Sequence, residues 1–351
     1  MIKTMDPVSP TLSELFELYW LAPFSLSVRA PMSSSADLSI DKPIKALGFM
    51  VLAQFLFSTN TFLLRMTERV EQTVTGAAFE LSPWEPMFYR SILMSVWCLY
   101  LIKKNPGAKP TPKENFWLWA RGIVGVLSLT TYYYGVLHIP LGMAALFSNS
   151  SPIYVTFLAI IITREVVTKV RLLSVAFGFL GVGLVAWGAI QQTGTYALFD
   201  VIIAGVSGPL AALAYFSIRQ LKRIKSEQIM LSLGLGGVIL SVLVMAIVGT
   251  NLPQTFSGQL TLIASVIPAV LAQASLTRAF RMAPASQISP LQYTGPVFAS
   301  IYASLFLDES LPQTALIGVL VVLAFGLFVP YLEALWVYWK DQKAKAAPIV
   351  D

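Results

Sequence analysis

Polar residues recur at helical spacing inside long apolar runs of this chain. Gln54, Ser58, Thr61 and Arg65 stand at i, i+4, i+7 and i+11, which places all four on one helix face. Arg121, Gly125, Ser128 and Tyr132 repeat that spacing in a second run. Gln273, Thr277 and Arg281 continue it in a third, with Arg278 beside them. Two further runs carry Asn149 with Tyr154, and Gln292 with Tyr293. The side chains offered are donors, acceptors and cations. Unpaired polar groups are costly in hydrocarbon, so stripes of this length predict the wall of a central cavity that binds a polar solute. The bland alternative is hydrogen bonding between packed helices.

The arginines separate by depth. Arg121 lies about six residues inside its run, roughly 9 Å at the helical rise, where snorkelling to the interface is still possible. Arg90 is similarly shallow from the opposite side, and Arg278 stands near the end of its run. Each alone fits an anchoring role. Arg121 and Arg278 approach the same side, so together they are candidates to attract a carboxylate or phosphate. In the run Tyr132–Tyr133–Tyr134, consecutive residues point in different directions, so at most two rings face a cavity. His138, the single histidine, is expected to be a loop bystander. No Asp or Glu falls in mid-span, which favours facilitated transport or exchange over obligate proton coupling.

The elements that position these residues follow from composition. Of 351 residues, 56% are hydrophobic and 12% charged, the balance of a polytopic membrane protein. One cysteine and one histidine build neither a disulfide framework nor a four-ligand zinc site. No phosphate-binding loop, Cys–His pair or paired mid-span carboxylates occur, so no cofactor is expected and an enzyme is the weaker class. A non-transporting receptor is a third class, weakened by the lack of a soluble effector domain. The net charge of +6 is ascribed to basic loops and not to nucleic-acid binding.

Ten spans are predicted, at about residues 45–65, 86–103, 115–136, 141–163, 170–190, 199–219, 229–249, 259–281, 285–307 and 313–335. Loops after even-numbered spans are basic, with Lys103, Lys104, Lys109 and Lys113, then Arg164, Lys169 and Arg171, then Arg219, Lys222, Arg223 and Lys225. The remaining loops carry acids or no charge. Both termini are therefore expected in the cytoplasm. Residues 1–44 lack a long apolar core and are expected to be a disordered extension, with residues 1–31 a mis-assigned start or, alternatively, an interfacial helix. Residues 336–351 are expected to form a cytoplasmic tail.

An internal repeat organises the spans. Pro140, Pro152 and Glu165 recur as Pro284, Pro296 and Glu309 at one offset of 144 residues. Five helices per half is odd, so the second half, residues 199–335, must enter the membrane from the side opposite to the first, residues 45–190. The predicted fold class is all-α, with ten transmembrane helices in two inverted-topology five-helix repeats. Pro152 and Pro296 are expected to kink their helices. Small-residue faces, Ser174, Gly178 and Gly181 in one span and Ala315, Gly318 and Gly326 in another, suit close packing within the bundle or in a homodimer.

The chain resembles the EamA family of the drug/metabolite transporter superfamily over about residues 45–335. The resemblance is carried by "LHIPLGMAALFSNSSPIYVTFLAIIITRE", by "FRMAPASQISPLQYTGPVFASIYASLFLDE", and by "WEPMFYRSIL" with Arg90 near its start. The segment "ARGIVGVLSLTTYYYGVLHIPLG" is similar to a branch that includes S-adenosylmethionine carriers. The resemblance implies a permease with a central cavity in a lipid bilayer, expected to be the bacterial inner membrane. It implies a small polar metabolite as cargo, such as an amino acid or nucleoside-like compound, moved by alternating access.

Overall fold

The computed structural model describes residues 43–163, 169–191, 197–221, 223–282, 289–308 and 312–325. The expected N-terminal extension and C-terminal tail fall outside these residues, as do Arg164, Glu165, Lys222, Glu309 and Gly326. The described residues are helical and contain no strand. The helices are α1 (Pro43–Thr75), α2 (Trp84–Lys104), α3 (Pro112–His138), α4 (Leu141–Asn149), α5 (Ser151–Thr163), α6 (Lys169–Gln191), α7 (Leu198–Arg219), α8 (Ser226–Val248), α9 (Phe256–Met282), α10 (Thr294–Phe306) and α11 (Gln313–Leu323). A 3-10 turn, Ser289–Tyr293, leads into α10.

Four of these helices have the length and apolarity to cross a membrane by those criteria alone: the stretches Lys45–Thr75, Leu198–Ile218, Ser226–Val248 and Phe256–Met282. Around an apolar core, burial departs from that of a water-soluble protein. Leu99, Phe116, Leu243, Ile247 and Leu260 are exposed, whereas Ser58, Asn60, Thr61, Arg90 and Gln273 are buried. Apolar side chains outward and polar ones inward is the arrangement lipid demands, because backbone and side-chain polar groups must find partners inside the protein.

The helix starts follow local rules. Thr111 caps α3 through a reciprocal box with Glu114, and Pro112 occupies the first turn, where its missing N–H costs nothing. At α9, Thr255 Oγ1 accepts from the Gly258 N–H, while Glu71 at the far end of α1 accepts from the Gln254 and Thr255 N–H groups. A carboxylate there satisfies orphan donors and meets the positive end of the helix dipole.

The predicted single span 141–163 is two helices. α4 ends at Asn149 and α5 begins at Ser151. Proline lacks an N–H and fits a first turn without loss, and Pro152 opens a new helix there instead of bending an existing one. Pro296 does the same as the third residue of α10. Side chains bond the backbone just before the first break: Asn149 Nδ2 donates to Ala145 O at 2.9 Å and Ser150 Oγ to Phe147 O at 2.6 Å. Thr294 Oγ1 donates to Leu291 O at 2.7 Å at the second break, the same bond displaced by one repeat.

α1 packs along α9 and α3 along α7, the two most extensive helix pairs, followed by α2 with α8 and α6 with α11. The last pair uses the small-residue faces within the chain. A Cβ at Gly181 would stand 2.9 Å from the Gly318 carbonyl, and one at Gly318 would stand 2.6 Å from the Gly181 carbonyl. Only glycine at both positions permits that approach.

The bundle has two chemically distinct ends. Glu71, Glu85, Asp200 and Asp308 gather at one, where Glu85 accepts from the Asn251 N–H at 2.7 Å. At the other, Lys225 Nζ donates to Asn105 Oδ1 at 2.8 Å and Arg223 pairs with Glu114 at 3.3 Å.

Candidate functional site

The polar stripes face inward. Gln54, Ser58 and Thr61 on α1, Arg121, Ser128 and Tyr132 on α3, and Gln273 and Thr277 on α9 are all buried. They sort into three connected groups.

Arg90 on α2 is the hub of the first. Its Nη1 donates to Tyr133 Oη and its Nη2 to Gln273 Oε1, both at 2.9 Å. Its Cζ lies 5.6 Å from the centre of the Phe57 ring, a cation–π contact. Tyr133 donates onward to Asn60 Oδ1 at 3.1 Å, and Asn60 Nδ2 donates to Ser265 O at 2.9 Å. Ser265 stands three residues before Pro268, inside α9. Thr277 Oγ1 donates to Gln273 O at 2.8 Å and so continues the chain along α9. One network thus joins α1, α2, α3 and α9.

This corrects the expectation for Arg90. The residue is fully buried and does not anchor at an interface. Depth counted along one helix misjudged it, because Phe57 of α1, Tyr133 of α3 and Gln273 of α9 close around it. Sequence reasoning also missed Asn60 and Tyr133. Asn60 could have been found as a lone amide in mid-span, between Ser58 and Thr61. Of the three tyrosines, Tyr132 and Tyr133 are buried. Tyr134 bonds Asp200 at 2.7 Å and stacks on His138, whose Nδ1 sits 2.8 Å from Tyr134 O.

The second group lies where the two broken helices meet. Ser58 Oγ donates to Gly295 O at 3.1 Å, and Gln54 and Asn149 close on the same glycine. Ser151 Oγ donates to Gln292 Oε1 at 3.3 Å, and Gln292 Nε2 is buried without an acceptor among the described residues. Tyr154 pairs with Ser150, and Tyr293 is buried beside the break. On the other flank, Ser128 Oγ donates to Ser207 O at 2.9 Å, two residues before Pro209 in α7.

Arg121 forms the third. It is 3% exposed, yet it makes no hydrogen bond among the described residues, and its Nε is buried without a partner. Its guanidinium folds inward over Gly125, away from the basic end of the bundle, and lies in the fields of Tyr215 and Arg90. Snorkelling is therefore not its role. Arg278 does not join it. That residue is exposed, over the Phe49 ring at 6.0 Å, beside a small cleft that also touches Glu227. Its side chain leaves α9 on a different face from Gln273 and Thr277, so the expected Arg121–Arg278 pair is replaced by Arg121 and Arg90. Arg281 is also exposed and donates to Ser226 Oγ.

A bundle with lipid-facing apolar helices around a polar centre defines an integral membrane protein. The profile of the EamA-like transporter family matches residues 44–187 and 195–329, and the chain belongs to that family. It is 28% identical over 258 residues to an uncharacterized transporter of Helicobacter pylori, covering 71% of this chain and 85% of that one. It is likewise 28% identical over 281 residues to a pseudopaline exporter of Pseudomonas aeruginosa, covering 78% of this chain and 92% of the other. A solved crystal structure aligns with a TM-score of 0.54 at 16% identity, covering 80% of this chain and 98% of that one, which supports the fold alone.

Proposed function

We propose that this transporter is a secondary carrier that moves a small polar metabolite through the centre of the bundle by alternating access. The observation that carries this is the inward convergence of buried polar side chains from α1, α2, α3 and α9, with α1 also reaching the second helix break through Ser58. Irregular backbone at membrane depth is tolerated where it is enclosed by protein or lines a cavity, and carriers place their sites there.

The architecture we infer is ten spans in two five-helix repeats of inverted topology, with both termini in the cytoplasm of a bacterial inner membrane. Three features support it. Exchange of the halves maps the α1–α9 pair onto the α7–α3 pair. The Ser150–Phe147 bond maps onto Thr294–Leu291. The two ends of the bundle also differ in charge sign, as inverted halves under a positive-inside bias would.

The test is flux in liposomes. Purified full-length protein is reconstituted and screened with labelled metabolites, including neutral, cationic and anionic solutes. Saturable uptake or counterflow of one class is expected. Absence of saturable flux for every class would reject the carrier assignment.

A further inference from the structure

Two guanidinium groups sit inside the bundle with no carboxylate against either of them among the described residues. They are held differently. Arg90 is fixed by Tyr133, Gln273 and the Phe57 ring, and only its Nε lacks a partner. Arg121 is buried to the same degree and has none of these supports. Its fork of donors is complete, and it lies over Gly125, where a Cβ would collide with Nη1.

A buried cation without an anion is expensive, by about 2.5–3.5 kcal/mol for an arginine at mid-membrane on insertion scales. Proteins relieve that cost by pairing, by hydrogen bonding or by turning the side chain to the interface. Arg90 uses hydrogen bonds. Arg121 uses none of the three, and of the two groups whose fields reach it Tyr215 eases the cost while Arg90 adds to it through like-charge repulsion. Its Nε is enclosed, and what would satisfy the fork beyond hydration is an anion that enters from solution.

We propose that the solute bound at the centre carries a carboxylate, which docks on the Arg121 fork with Arg90 as a fixed second positive charge. This rests on the carrier assignment above and adds the substrate class to it. The geometry favours carboxylate over phosphate. The open donors are one planar fork and a single Nε–H, a match for two coplanar oxygens. The out-of-plane oxygens of a phosphate would need donors that Tyr133 and Gln273 have already engaged.

The experiment has two arms on the full-length protein. In the first, thermal unfolding in detergent is followed with sodium acetate, glutamate, citrate, inorganic phosphate and the neutral amide glutamine. At least one carboxylate should raise the melting temperature of the wild type while glutamine does not. The same carboxylate should bind Arg121→Gln at least about tenfold more weakly, in line with a lost charge-assisted hydrogen bond. Arg121→Lys keeps charge without the fork and should fall between the two. It also serves if Arg121→Gln fails to fold, in which case a wild-type affinity for Arg121→Lys overturns the proposal. Arg223→Gln, at the basic end, is the loop-charge control and should bind as the wild type does.

Equal binding by wild type and Arg121→Gln overturns the proposal, as does stabilisation by phosphate alone or by no carboxylate. In the second arm, flux is measured in liposomes. Saturable flux of a neutral or cationic solute that is unchanged by Arg121→Gln leaves the carrier assignment standing and rejects the carboxylate. Carboxylate binding that depends on Arg121, without flux of any solute, does the reverse.

Discussion

The arginines at the acidic end and those at the centre obey opposite rules. Arg65 is 3.7 Å from Glu68 and also donates to the carbonyls of Leu137 and Ile139. Arg69 pairs with Asp308 at 3.1 Å and donates to Phe306 O at 2.8 Å. Both line or border a cleft of about 340 Å³ that also touches His138 and Glu80, so water and acids share in neutralising them. Arg90 and Arg121 have less water and no acid. Where a counter-charge is cheap the protein supplies one, and where it would matter most it is missing. A structural role calls for the counter-charge to be built in. A binding role calls for it to be left to the ligand.

The largest effect is expected at the hub. Arg90→Lys keeps the charge but cannot hold Tyr133 and Gln273 at once in the plane of a fork. One charge-assisted hydrogen bond is lost, about 1.5–3 kcal/mol. The melting temperature should fall and saturable flux should drop at least about tenfold. Flux at the wild-type level would remove Arg90 from the site.

A smaller effect comes from making the centre resemble the acidic end. Gln273→Glu is nearly isosteric and puts a carboxylate oxygen where Oε1 already meets Arg90 Nη2 at 2.9 Å. The hydrogen bond, already charge-assisted through Arg90, becomes an ion pair and gains about 1 kcal/mol, so the melting temperature should rise while carboxylate binding weakens. Stability traded against binding is the signature of a charge reserved for ligand. If both fall together, Gln273 acts through packing instead.

The reverse change should matter less. Asp308→Asn strips the counter-charge from Arg69, with side chains 48% and 85% exposed in that pair. Exposed pairs contribute about 0–1 kcal/mol and are screened by salt. A melting temperature within error of the wild type in 150 mM salt is expected. A fall as large as that of Arg90→Lys would erase the distinction between the two regions.

The sequence made the stripes legible because lipid punishes misplaced polar groups. Gln54, Ser58, Thr61, Ser128 and Tyr132 had to face inward, and periodicity alone says which face that is. The proline–glutamate repeat likewise marked Pro152 and Pro296 as places where a helix is disturbed. What stayed hidden was three-dimensional. Arg90 sits six residues from the start of α2, and only its neighbours on α1, α3 and α9 make that position deep. Arg121 could have turned either way along α3, and its direction depends on the space above Gly125. Arg278 and Gln273 share a helix but leave it on different faces, so nearness in sequence overstated their kinship. Tyr133 was masked by its two tyrosine neighbours, which share its composition but not its direction.

The smallest effect tests the same contrast through pH, at a group solvent reaches. Glu114 at the basic end accepts from the Thr111 N–H, from the Thr111 hydroxyl and from Arg223. The Thr111 N–H, then the hydroxyl and the Arg223 charge, hold its carboxyl below the ordinary carboxylate value. A depressed folded-state pKa means that the folded state favours the ionised form. The resulting stability is fully present above the unfolded value, near 4.3, and is lost as pH falls through the folded one. Wild type should therefore melt slightly above Glu114→Gln at pH 7, and the gap should close as pH approaches 3. A gap that persists at pH 3 would mean that Glu114 acts through its shape in the capping box and not through its charge. The centre should lack any such carboxylate titration, because its counter-charge belongs to the ligand. Carboxylate binding by the wild type should then weaken only as the ligand's own acid is protonated.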